Sequence, residues 1–316
     1  MTLRTSRWVS YIAVACGILT VVAWVVFVDA NGAQDAASDR DDAVEIAAAA
    51  VLHGSNPWGH QSILGLPITT GPTSILMALP FVGVLGKINL LTFIMWSSFV
   101  TILALADIRQ RNNTFFTACI LLCLPWFGFL HTLQWSLDEL YYAAVLSPLL
   151  WLALSCEKPI LAGVFGGAMV FARLSYAPAV IAAGLWWVIS ARPSPRNLLR
   201  VAFGGFGFAI AVVSLFWLVG GHEFLRHNLW KNSLAVLPNS DLRSTILVLV
   251  LTTLAALVMR RLHHPFYHMA VASVFAHTIA FSPGYPQDYQ LIFLIPALYG
   301  LCFSRLGTIR DDARIT

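Results

Sequence analysis

The stretch VAFGGFGFAIAVVSLFWLVG, Val201–Gly220, decides the fold. It has no charged residue, and a helix of that length covers roughly 30 Å at 1.5 Å per residue, the thickness of a bilayer's hydrocarbon core. Arg196 and Arg200 precede it, and His222 and Glu223 follow it. Apolar runs of the same kind recur on both sides: Trp8–Val28, Asn89–Ala106, Thr114–Leu130, Leu140–Cys156, Pro159–Leu174, Ala177–Ser190, Thr245–Met259, Phe266–Phe281 and Leu291–Phe303. With Val201–Gly220 these make about ten expected transmembrane helices. One more run, Pro72–Gly86, is apolar but short, and Pro80, Gly83 and Gly86 interrupt it. Over 316 residues the chain is 58% hydrophobic and 11% charged, with a mean hydropathy of +0.75. A soluble domain needs about 25% charged residues to clothe its surface, so a water-soluble enzyme is excluded. The expected fold class is all-α, a polytopic membrane helix bundle forming a single domain over residues 1–316, with no soluble domain.

The charges orient these spans. Cytoplasmic segments carry the excess of Lys and Arg. If Pro72–Gly86 is a short re-entrant or interfacial element that does not cross, thirteen of the nineteen basic residues fall on one side with only four acids, a net +9. The opposite side then sums to −5. A full crossing at Pro72–Gly86 would reverse that bias. Both termini are therefore expected in the cytoplasm of a bacterial plasma membrane. The polar chemistry gathers outside, in a long first loop over residues 29–88, a second loop Gly221–Arg243, and two short ones, His131–Glu139 and Ser282–Gln290. No basic stripe interleaved with aromatics occurs on a polar segment, so nucleic acid is not an expected partner. The cysteines Cys16, Cys119, Cys123, Cys156 and Cys302 lie in or beside apolar runs, with no disulfide or metal spacing, and are expected to pack as small apolar residues. His268 and His277 are nine residues apart, on opposite faces of one helix, and cannot share a metal.

The first loop is acidic. Asp29, Asp35, Asp39, Asp41, Asp42 and Glu45 precede Ala43–Leu52, an alanine-rich helix former too short to span. A turn follows, Gly54-Ser55-Asn56-Pro57-Trp58-Gly59, whose tryptophan is expected to anchor among lipid headgroups. Most of these acids read simply as solvation of an exposed loop. The order Asp41…Gly54-x-Asn56-Pro57-Trp58…Gly71-Pro72…Pro80 is more specific. Over residues 41–80 it resembles the first outer loop of the GT-C integral-membrane glycosyltransferases, in particular the branch that uses polyprenyl-phosphate-mannose. Glu45 and Ile46 depart from that pattern, which has aromatic residues there.

The resemblance implies a GT-C-like bundle that moves a sugar, mannose in that branch, from a polyprenyl-phosphate carrier to a lipid or glycan acceptor on the extracytoplasmic face. An acceptor hydroxyl is a poor nucleophile and needs a general base. By position that base is Asp41, with Asp42 and Asp39 next. The departing carrier phosphate needs a cation. Arg173, in Phe171-Ala172-Arg173-Leu174-Ser175-Tyr176, stands near the outer end of an expected span, where an unpaired arginine costs at least ~2.5 kcal/mol. It is the leading phosphate ligand, its bland alternative being an arginine that snorkels to the interface. Arg226 and Lys231, in a loop with His222, His227 and Trp230, are further candidates, and an amphipathic interfacial helix would look the same.

Asp138 and Glu139 could bind acceptor or a divalent metal ion, or could simply open a helix with Ser136 as cap. Asp288 and Tyr289 resemble the acidic-aromatic entry to a late helix of the family, with Gln287 where a histidine is usual. Trp8, Trp24, Trp58, Trp126, Trp135 and Trp151 mostly fall near expected interfaces, as belt anchors do. Two other classes fit the composition: a transporter or flippase of lipid-linked sugars, and a non-catalytic partner in a cell-envelope complex. A transporter should show paired broken helices and charges at mid-membrane. Here one segment is broken and the charges collect on one side.

Overall fold

The computed structural model describes residues 40–63, 65, 67–68, 70–88, 138–173 and 176–225, with a few single positions elsewhere. Most described residues are helical, with no strand among them, and a lone bridge between Gln61 and Pro67 closes a loop around Gly65. The all-α expectation holds for this part of the chain. The described residues form six α-helices: α1 Arg40–Leu52, α2 Pro72–Leu85, α3 Asp138–Ser155, α4 Pro159–Ala172, α5 Ala177–Ala191 and α6 Pro195–Leu225. Among the described residues, one helix, Pro195–Gly221 within α6, is long and apolar enough to cross a membrane. Segments in α2, α3, α4 and α5 are apolar but shorter.

Local chemistry sets the boundaries. Proline opens α2, α4 and α6, where its fixed φ suits the first turn and its missing N–H has no partner to lose. A left-handed residue ends α1, where the Ser55 N–H bonds to the Ala50 carbonyl at 2.8 Å and the Gly54 N–H to that of Val51 at 3.0 Å, with Gly54 at φ 69°. That pair of bonds is a Schellman closure, and it requires φ > 0 where glycine adopts it freely. The α3–α4 corner repeats the pattern with Glu157 at φ 55°: Lys158 N–H bonds to Ala153 and Glu157 N–H to Leu154. In α6 the helical dihedrals break at Gly221, φ 53° and ψ −138°.

Helices α4 and α6 run parallel along most of α4. Their crossing is made by glycine: a side chain at Gly163 would strike the Val201 carbonyl, and one at Gly204 the Ile160 carbonyl. Small residues let two backbones touch, which is how helices associate where lipid supplies no hydrophobic drive. Further along, Phe171 meets Phe208 edge to face at 6.3 Å. Helix α3 runs antiparallel to α4, with Ser147 Oγ 3.9 Å from Met169 Sδ and Leu150 packed at Gly166. Ala43, Val44, Ala47 and Ala48 of α1 join Ile75, Ala78 and Val82 of α2 in the same buried cluster.

Two expectations are corrected here. Trp151 is not a headgroup anchor: it is buried and stacks edge to face on Trp186 at 5.2 Å. Cys156 does not pack as a small apolar residue, because the Glu157 turn leaves it exposed. The other cysteines and the spans before residue 40 and beyond 225 lie outside the described stretches.

Candidate functional site

Four segments distant in sequence meet at one end of the helix cluster: the Asn56–Trp58 turn, the start of α2, the end of α4, and α6 around Phe216–Gly221. The turn is built locally. The Asn56 side-chain oxygen accepts the Trp58 N–H at 3.1 Å and so caps the single 3₁₀ turn Pro57–Gly59. Ser55 Oγ donates to the Ala50 carbonyl at 3.0 Å, tying the turn back to α1. This geometry aims the Trp58 indole inward.

Trp58 is 3% exposed, not anchored among headgroups as its sequence context predicts. Its ring lies 5.4 Å from that of Phe216, and its Nε1–H donates to the Thr70 carbonyl at 3.2 Å. Room for it exists because α6 has Gly220 there: a Cβ at that position would come within 3.0 Å of Trp58 Cζ3 and 3.1 Å of Asn56 Oδ1. The partner glycine is 162 positions away in sequence, which is why the burial was not legible.

From Thr70 the chain enters α2 against the end of α4. Gly71 abuts the carbonyls of Phe171 and Ala172, closer than any side chain would permit. Ser74 Oγ donates to the Ala172 carbonyl at 3.4 Å. The positive end of α2 thus faces the negative end of α4, an arrangement favoured by both helix dipoles. Thr73 is also buried here, and its Oγ1 has no hydrogen-bond partner. Immediately after Ala172 comes Arg173, half-buried, its backbone extended, its N–H bonded to Met169 and its carbonyl accepting from Tyr176. Tyr176 is fully buried. Ser74 and Gly220 are the site residues that sequence reasoning did not single out, whereas Gly71 was already part of the glycine-proline entry quoted from the sequence.

The structure brings the turn residues Asn56, Pro57 and Trp58 to the segment that carries Arg173. It does not bring the α1 carboxylates there. Glu45 Oε2 accepts the Ile88 N–H at 3.3 Å, beyond the left-handed Gly86 that ends α2. Arg173 follows the residue that touches the start of α2. The two groups are held at opposite ends of a 14-residue helix roughly 20 Å long. Asp42 is buried on α1 one turn before Glu45, and Asp41 lies in the same helix with its side chain outside the described ones.

Asp138 and Glu139 open α3. The pairing of residue 147 with 169 and 150 with 166 sets position 143 beside Arg173, and Asp138 is five positions further, about 8 Å along the axis. These acids therefore stand at the Arg173 end, though their side chains are outside the described ones. Asp39, Arg226, Lys231, Asp288 and Tyr289 lie outside the described residues altogether. Among the described residues no three His, Cys, Asp or Glu side chains gather as metal ligands.

The junction sets the backbone of Arg173 beside the buried Thr73 and Ser74 and the start of α2, which the Trp58–Phe216 ring pair adjoins. The chain matches no family model, no curated protein and no solved structure.

Proposed function

We propose that the protein is an integral-membrane glycosyltransferase of GT-C type. It would take a sugar, mannose by resemblance, from a polyprenyl-phosphate carrier and pass it to a lipid or glycan acceptor on the extracytoplasmic face. The observation that carries this reading is that the Asn56–Trp58 turn and the backbone leading into Arg173 both meet the start of α2, about 20 Å from the basic residues at the other end of α4. That division matches the charge sorting of the sequence, with cations concentrated inside and carrier chemistry outside.

In the reaction the acceptor oxygen attacks the anomeric carbon as the bond to the carrier phosphate breaks. A carboxylate takes the hydroxyl proton, and the phosphate leaves with the bonding pair. Arg173 would neutralise the charge that develops on that phosphate. The separation between Arg173 and the start of α1 is too long for one phosphosugar to touch both. Asp138 and Glu139, at the Arg173 end, are therefore preferred over Asp41 and Asp42 as the base.

The test is transfer from a radiolabelled polyprenyl-phosphate sugar to membrane-lipid acceptors by the reconstituted protein. Arg173→Gln should reduce the rate by about 10²–10³, and removal of the true base by about 10²–10⁴. Comparing Asp138→Asn and Glu139→Gln with Asp41→Asn and Asp42→Asn identifies that base. Undiminished transfer by Arg173→Gln would remove it from the mechanism. Flipping of the carrier without any transfer would replace the enzyme reading by transport.

A further inference from the structure

Helix α6 reverses the pattern of a water-facing helix. Its inner side carries Gly204, Val212 and Phe216, all buried, whereas Leu199, Phe203 and Phe206 are each more than 70% exposed. At 100° per residue, Arg196, Arg200 and Phe203 share one narrow sector of the helix, with Leu199 and Phe206 beside it. Two guanidinium groups thus stand at the head of an exposed apolar and aromatic wall.

Neighbouring elements add to that head. Because α4 and α6 touch at Gly163–Val201 and Ile160–Gly204, Lys158 lies level with Arg200. Arg192 ends α5, three residues before Pro195. All four cations are exposed. After Glu157 the sequence has no acid before Glu223, so negative charge is scarce along this stretch.

We infer that this collar binds the phosphate of an anionic phospholipid, whose acyl chains lie along Phe203 and Phe206. The inference rests on the membrane-embedded part of the proposed function and not on sugar transfer. A free phosphate would use the cations and leave the wall unused. A zwitterionic lipid would use the wall without bringing net charge to the cations. An anionic phospholipid answers both, and arginine's planar fork suits its phosphate. The collar lies at the opposite end of α4 from Arg173, so the two anion-binding ends are distinct.

The full chain, purified in mild detergent and incubated with a mixture of phosphatidylglycerol and phosphatidylcholine, is assayed by native mass spectrometry for retained lipid. Wild type should retain phosphatidylglycerol selectively. Arg196→Gln with Arg200→Gln should cut that selectivity by about 25-fold, roughly fivefold for each cation removed, and Arg196→Lys with Arg200→Lys should keep most of it. Unchanged selectivity in the glutamine variant, or none in wild type, overturns the inference. Displacement of the lipid by millimolar inorganic phosphate would overturn it in favour of a free-anion site. A chain that alkaline carbonate strips from membranes would sink the membrane reading itself, an outcome separable from loss of lipid selectivity.

Discussion

The indole of Trp58 lies over Gly220, closed in by Phe216 on one side and held by the Thr70 carbonyl at its nitrogen. A turn in one segment is thereby fastened to the far end of a long helix. Gly220→Val should drive the indole from this seat and cost about 1–3 kcal/mol of stability. Trp58→Phe, which keeps ring packing but loses the Nε1–H bond, should cost about 1 kcal/mol. Thermal unfolding of the purified variants measures both, and a Gly220→Val melt equal to wild type would show that the turn is not seated there.

The α4–α6 crossing makes a graded prediction. Gly163→Ala and Gly204→Ala each force a methyl into a backbone carbonyl, which cannot rotate away. Gly167→Ala meets the Phe208 ring at 3.2 Å and the Gly205 carbonyl at 3.4 Å, so a small shift accommodates it. Gly207→Ala meets nothing within 4 Å and should stabilise by up to about 1 kcal/mol through helix propensity. The expected order of melting temperature is Gly207→Ala, then wild type, then Gly167→Ala, with the other two lowest. Any other order means the helices cross elsewhere.

Glu157 holds a left-handed conformation that costs a non-glycine residue about 1–2 kcal/mol. Its side chain is exposed. Glu157→Gly should raise stability by about 1 kcal/mol without altering any activity. A lowered melting temperature would reveal that the carboxylate has a stabilising partner.

Thr73 buries a hydroxyl oxygen that has no hydrogen-bond partner. Thr73→Val keeps the shape and removes that polar atom, so it should gain about 1 kcal/mol of stability. If the oxygen serves the carrier instead, the same variant should raise KM for the phosphosugar at little cost to kcat. Steady-state kinetics beside a thermal melt distinguishes these outcomes.

Helix starts were legible where proline or acids mark them. The expected run Pro159–Leu174 is observed as Pro159–Ala172, and Ala177–Ser190 as Ala177–Ala191. The beginning of α6 was misplaced by six residues, because hydropathy registers Arg196 and Arg200 as the end of a span while the backbone continues through them. Asp138 and Glu139 do open a helix, as their position ahead of an apolar run predicts. What could not be read was register between helices. Gly163 faces Val201, Gly71 faces Ala172 and Trp58 faces Gly220, and each depends on a partner that no local pattern names. The same blindness to partners made Asp41 and Arg173 look like neighbours in function, although α2 holds their elements apart.

The seam between Gly71 and Ala172 has a mechanical consequence. Ser74 is bonded to the carbonyl that precedes Arg173, and the bare backbone at Gly71 leaves no gap in which the two helix ends could slide. The backbone that enters Arg173 and the start of α2 are therefore fastened together. A shift of that backbone carries the start of α2 with it, and α2 ends beside the Ile88 N–H that Glu45 holds. A ligand at one end of that helix would be felt at the other as a change of tension, with no need for the two to meet.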